Sequence, residues 1–178
     1  MSVVLNSLVP EFRGRVEELL QRCRASGVEM RPNQGTRDPF LQAIYWRQSR
    51  TFEEVTSQIV RLRNGGAFFL AFCIETVGRR DGKHVTNAIP GYSWHQWGES
   101  VDCFWVVDGR AEWSVNRLVN GVNGYRVYAQ HAASMGLTSG GFWQDLPDWP
   151  HVQLRAAASP GDIRTLSQIN DAMQQRFG

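Results

Sequence analysis

Apolar residues recur at helical spacing over residues 10–26, where Phe12, Val16, Leu19, Leu20 and Cys23 share one face and Gly27 supplies a stop. Residues 28–31 then read as a short strand ended by Pro32, and 33–39, with Gly and Pro, as a loop. A second helix is expected from about Thr51, with Glu53 and Glu54 in its first turn, to Arg63, closed by Gly65-Gly66. Residues 67–77 are apolar almost all round, which predicts a buried helix.

From 78 to 91 the chain is polar and loop-like. Residues 100–107 have strand composition, and Asp108-Gly109 is a strong turn signal. Asn123-Gly124 reads as another turn, followed by a helix over 124–135 and a glycine cluster at 136–141. Residues 151–155 alternate as a last strand, and 162–177 form a closing amphipathic helix with Ile163, Leu166, Ile169 and Met173 on one face. No repeat, low-complexity tract or linker interrupts the pattern. The expected fold is α+β: one domain over residues 1–178, with a small, mostly antiparallel sheet flanked by helices.

The length of 178 residues suffices for a core without disulfide staples. A net charge of +2 is too small to argue for nucleic acid. The three cysteines, Cys23, Cys73 and Cys103, are odd in number and contain no CxxC pair, so all three read as buried, reduced filler. Residues 1–8 lack a basic region followed by a long apolar run, so no signal peptide is expected. The longest apolar stretch, 67–74, is far too short to insert in a membrane.

Candidate chemistry lies in two places. Ser93-Trp94-His95-Gln96-Trp97-Gly98-Glu99-Ser100-Val101-Asp102 carries a histidine and an aspartate, and Asp148-Trp149-Pro150-His151 carries a second histidine. Two imidazoles and a carboxylate suit one catalytic zinc, whose fourth position is left for water. The same donors can also take iron, cobalt or manganese. Gly98 and the β-branched Val101 argue that His95 and Asp102 sit on a turn and the strand after it. The carboxylate of Asp148, three residues before His151, is placed to handle the water's proton; Asp145 is the alternative base. A plain turn role for Asp148 in Leu-Pro-Asp-Trp-Pro competes with this. Trp94, Trp97, Trp143 and Trp149 flank the ligands, whereas His84 and His131 show no partner pattern.

The arrangement Ser-x-His-x-x-Gly-x-x-x-Asp followed by Asp-x-x-His resembles the zinc peptidases of the D-Ala-D-Ala carboxypeptidase and L-alanyl-D-glutamate endopeptidase group, which includes many phage endolysins. Supporting pieces run from about residue 45 to 155: Ser49-Arg50-Thr51, Thr86, Pro90-Gly91 and the closing His-Val-Gln-Leu. The resemblance implies His95, Asp102 and His151 as zinc ligands, Asp148 as catalytic acid/base and Ser93 as a supporting serine. It also implies Arg50, with Arg47 as fallback, for the arginine that steadies the oxyanion. The group commonly has alanine where this chain has Ser100, and no second wall-binding module is evident.

The function this implies is zinc-dependent hydrolysis of the peptidoglycan stem peptide at the L-alanyl-D-glutamate bond by a monomer. The protein would be made in the host cytoplasm and released to the wall during phage lysis. The alternatives are a D-Ala-D-Ala carboxypeptidase or dipeptidase and a non-catalytic zinc module that binds wall.

Overall fold

The computed structural model describes residues 3–178. In chain order the helices are α1 (Val3–Asn6), α2 (Pro10–Ala25), α3 (Pro39–Arg47), α4 (Phe52–Asn64), α5 (Phe68–Thr76), α6 (Gly124–Ser134) and α7 (Leu166–Phe177). The strands are β1 (Glu29–Gln34), β2 (Ser100–Val107), β3 (Arg110–Glu112), β4 (Thr138–Ser139) and β5 (His151–Gln153). Short 3-10 turns cover Trp94–Trp97, Gly140–Phe142 and Pro160–Asp162. The chain divides into two compact units, one holding the residues up to Thr36 with Trp97–Ala156, the other Arg37–Gln96 with Ala157–Gly178.

The first unit holds the sheet, in the order β1-β2-β5-β4 with β3 hairpinned onto β2, and every pairing is antiparallel. This bears out the expected α+β class. Asp108 and Gly109 both adopt positive φ, as a tight two-residue hairpin turn requires. The face of α2 picked out by periodicity (Phe12, Val16, Leu19, Leu20, Cys23) is buried against the sheet, together with Tyr125, Tyr128 and Ala129 of α6. Gly124 opens α6 hard against the Trp105 ring, where a Cβ would lie 2.5 Å from ring carbons.

Two expectations change here. The strand does not stop at Pro32: β1 continues to Gln34, with a register shift between Pro32 and Gln34. Proline is tolerated because β1 pairs only with β2, so an edge position costs no second ladder bond. Asn123-Gly124 is not a free turn; the Asn123 side chain accepts from Arg126 N and caps α6.

The second unit is helical. A helix, α3, begins at the last residue of the expected loop and runs through a stretch where no element was expected, with Asp38 accepting from Leu41 N as N-cap and Pro39 opening the first turn. α4 begins with a complete capping box between Thr51 and Glu54. α5 has no cap from its own chain neighbours; instead the buried Asn170 Oδ1 of α7 accepts from Phe69 N at 3.0 Å and Leu70 N at 3.4 Å. α5 is not buried all round: Phe68 and Phe72 are 66% and 52% exposed. The closing helix starts at Leu166 rather than 162, because Ser159 caps a separate 3-10 turn and Thr165 caps α7, which leaves Ile163 exposed. Among the described residues, no helix is long and apolar enough to cross a membrane.

Candidate metal centre

His95 lies on the 3-10 turn Trp94–Trp97, and its position is set by amides rather than by apolar packing alone. The fully buried Gln96 accepts through Oε1 from Gly91 N and Ser93 N, both at 3.2 Å, and donates through Nε2 to Gln42 Oε1 at 3.0 Å. Gln42 in turn donates to Ala88 O at 2.7 Å. The turn is therefore tied to the loop before it and to α3. Ser93 sits at the turn's mouth, its Oγ accepting from His95 N at 3.4 Å. Gly98 then takes φ 71°, and its carbonyl accepts from Val9 N at 3.1 Å. A side chain there would press on Ser7 O and Val9 N, so the turn-into-strand geometry is reserved for glycine.

Asp102 is the third residue of β2 and is directly paired with His151, the first residue of β5. The expected final strand is shorter than its alternation suggested, ending at Gln153, but it carries the histidine as predicted. Glu99 anchors the strand end: its backbone carbonyl accepts from Leu154 N, and its carboxylate receives both Nε and Nη2 of Arg155, at 2.6 and 3.0 Å. His95, Asp102 and His151 each offer a ligand atom, and all three atoms lie within 4.8 Å of one another.

The tautomer of His151 can be worked out from its neighbours. Gln153 Nε2 donates to Arg155 O at 2.8 Å, which orients the amide so that Oε1 faces His151 Nε2 at 3.2 Å. Nε2 must then carry a proton, and Nδ1 faces Asp102 Oδ1 at 3.0 Å. Burial acts to lower the His151 pKa. It is outweighed by the hydrogen bond and charge of Asp102, the charge of Asp148 and the bond to Gln153, so the net direction is upward.

Asp148 is held beside this pair by its backbone. Its N donates to Gly140 O at 2.9 Å and its carbonyl accepts from His151 N at 3.2 Å. Gly140 permits this, since a Cβ there would lie 2.6 Å from Asp148 O. The next residue, Trp149, is wedged against Gly141 and Phe142, with the Arg126 guanidinium 3.4 Å from its ring centroid. Trp143 tilts against the His151 ring at 5.3 Å. The Asp148 side chain remains exposed.

The two candidate arginines belong to the helical unit. Arg50 donates to His84 Nδ1 at 2.8 Å, and at 3.3 Å to both Thr86 O and Asn87 Oδ1. Arg47 donates to Ile74 O at 2.9 Å. His84, which shows no partner pattern in the sequence, is thus a partner of Arg50. Gln153, Gln96, Gly140 and Gly141 were not singled out from the sequence. The one available signal was the alternation that puts Gln153 on the same strand face as His151.

The family described as VanY, D-alanyl-D-alanine carboxypeptidase, matches residues 6–143. The chain belongs to this family. The VanY match contains His95 and Asp102 and ends before Asp148 and His151; the β2–β5 pairing sets His151 opposite Asp102. Membership bears out the resemblance read from the motifs: the protein is a metallopeptidase acting on peptidoglycan. Among solved structures, the L-Ala D-Glu endopeptidase ChiX of Serratia marcescens is similar at 19% identity and a TM-score of 0.43, covering 85% of this chain and 84% of that one. A D,D-pentapeptidase VanY variant from a VanB-type vancomycin resistance cassette, in complex with Zn(II), is similar at 16% identity and a TM-score of 0.47, covering 96% and 84%. No curated protein matches the chain.

Proposed function

We propose that the protein is a zinc-dependent peptidase that cuts the peptidoglycan stem peptide at the L-alanyl-D-glutamate bond, acting on the wall as an endolysin. The observation that carries the metal-dependent part is the gathering of His95, Asp102 and His151 with ligand atoms inside 4.8 Å. The donors fit zinc in kind: two imidazoles and one carboxylate are a catalytic set that leaves a position open. They fit also in their surroundings, because Gln153 fixes His151 from behind and leaves Nδ1 for the ion, the usual outer-shell arrangement for a ligating histidine.

His95, Asp102 and His151 hold the ion. Zinc, when bound, supplies the Lewis acidity that makes water a nucleophile at neutral pH and polarises the scissile carbonyl. Asp148 accepts the proton of the attacking water and returns it to the leaving amine; its exposed carboxylate and its influence on His151 support that role. Arg50, with Arg47 as the alternative, steadies the negative charge that develops on the carbonyl oxygen. This assignment rests on the Ser49-Arg50-Thr51 motif.

The family match favours a second bond, D-Ala-D-Ala. One experiment separates the two: measure metal content of the purified protein, digest purified peptidoglycan with and without a chelator, and identify the released termini. New amino termini on D-glutamate, abolished by chelator, are expected. Free D-alanine would move the assignment to a carboxypeptidase, and zinc without hydrolysis would leave a wall-binding module. Absence of any bound metal would overturn the proposal.

A further inference from the structure

The helical unit contains a cavity of about 410 Å³ whose wall is unusually charged. Arg47, Arg50, Arg79 and Arg80 line it, against a single carboxylate, Asp81. That leaves three positive charges at one cavity, more than the net +2 of the whole chain. Asp81 is committed to Arg79 at 3.0 Å in a pair whose side chains are 87% and 84% exposed, so it offsets little of the field within. The buried Nε of Arg47 has no hydrogen-bond partner, although its Nη1 is satisfied by Ile74 O. Desolvation and the charge of Arg80 both depress the Arg47 pKa, as expected where like charges converge on a partly dry space.

A buried donor without an acceptor and guanidinium groups that outnumber the carboxylates around them share one remedy, a bound anion. The cavity also constrains what kind of anion. It is far larger than a bare inorganic ion requires, and Phe52 and Val55 give it an apolar wall. An acidic amino acid, with an aliphatic body and a carboxylate head, satisfies both surfaces.

We infer that this cavity is a carboxylate-binding site that seats the free α-carboxyl group of the stem-peptide glutamate. The inference rests on the peptidoglycan reading above and adds a specificity to it: stem peptides whose glutamate is amidated are poor ligands.

The test uses the full-length, zinc-loaded protein in an Asp148→Asn background, which blocks turnover, and two synthetic stem peptides that differ only in a free or amidated glutamate α-carboxyl. By calorimetric titration the free acid should bind at least about tenfold more tightly than the amide, the worth of one charge-assisted pair. In Arg79→Gln/Arg80→Gln that preference should vanish while zinc content and affinity for the amide stay unchanged. Equal binding of acid and amide, or a preference indifferent to the two arginines, would overturn the inference. So would competition by inorganic phosphate as effective as by the acid peptide, since that would point to a phosphate polymer instead. Failure of the peptidase reading shows separately, as absent hydrolysis by the unmodified protein with the acid preference intact.

Discussion

Replacing Gln153 by leucine tests whether the metal centre depends on the group behind it. Gln153 is 1% exposed and makes two bonds that leucine cannot: Oε1 to His151 Nε2 at 3.2 Å and Nε2 to Arg155 O at 2.8 Å. Leucine is close in volume, so little of the effect should come from a cavity. What is lost is the acceptor that holds the His151 ring with Nδ1 toward Asp102. Outer-shell changes of this type cost about 10–100-fold in metal affinity, or about 1.4–2.8 kcal/mol. That matches the roughly 1–3 kcal/mol for leaving a buried N–H unmade, so the metal-free protein should weaken by a similar amount. Zinc affinity would be read by competition with a chelator of known strength, and stability by denaturant unfolding of the metal-free form. Gln153→Glu restores an acceptor and should recover most of the zinc affinity. If Gln153→Leu bound zinc as tightly as the unmodified protein, or if glutamate failed to rescue it, the tautomer argument would be wrong.

Gly140→Ala places a Cβ 2.6 Å from Asp148 O and 3.1 Å from the His151 Cβ, so peptidase activity should fall at least about tenfold and stability by about 1–3 kcal/mol; unchanged kinetics would show that the turn tolerates displacement. Asp148→Asn should retain full zinc content while kcat drops about 100- to 10,000-fold, and retained turnover would remove Asp148 from proton transfer. Asn170→Ala strips the acceptor from Phe69 N and Leu70 N and should cost about 2 kcal/mol, a fall in Tm of roughly 4–8 °C, with zinc affinity unaltered. Burial pushes the thiols of Cys23, Cys73 and Cys103 up to about 12 from an ordinary 9.0. A folded-state value above the unfolded one favours the folded form fully below pH 9 and loses that contribution as pH rises toward 12. Alkylation at pH 8 should therefore label all three only after unfolding; rapid labelling of the native protein would contradict their burial.

Some of this protein was legible in one dimension because its causes are local. The buried face of α2, the start of α4, the strand β2 and the Asp108-Gly109 hairpin each follow from spacing, a cap or a positive-φ turn within a dozen residues. The grouping of His95, Asp102 and His151 was suggested by ligand type and short motif spacing, and the role proposed for Asp148 rests on the same motif. α3 carries a local start signal too, Asp38 ahead of Pro39, but the expected loop ended at Pro39 and no element was assigned to the residues just after it. Tertiary structure alone decided the rest. Pro32 stays in a strand because β1 is an edge; α5 keeps Phe68 and Phe72 outside because only one side of it is covered. Gln153 orients a histidine, Asn170 caps a helix about a hundred residues away, and four arginines face one cavity only after folding. Each of these depends on what a distant segment places within a few ångströms, and periodicity along one stretch of chain contains no record of that distance.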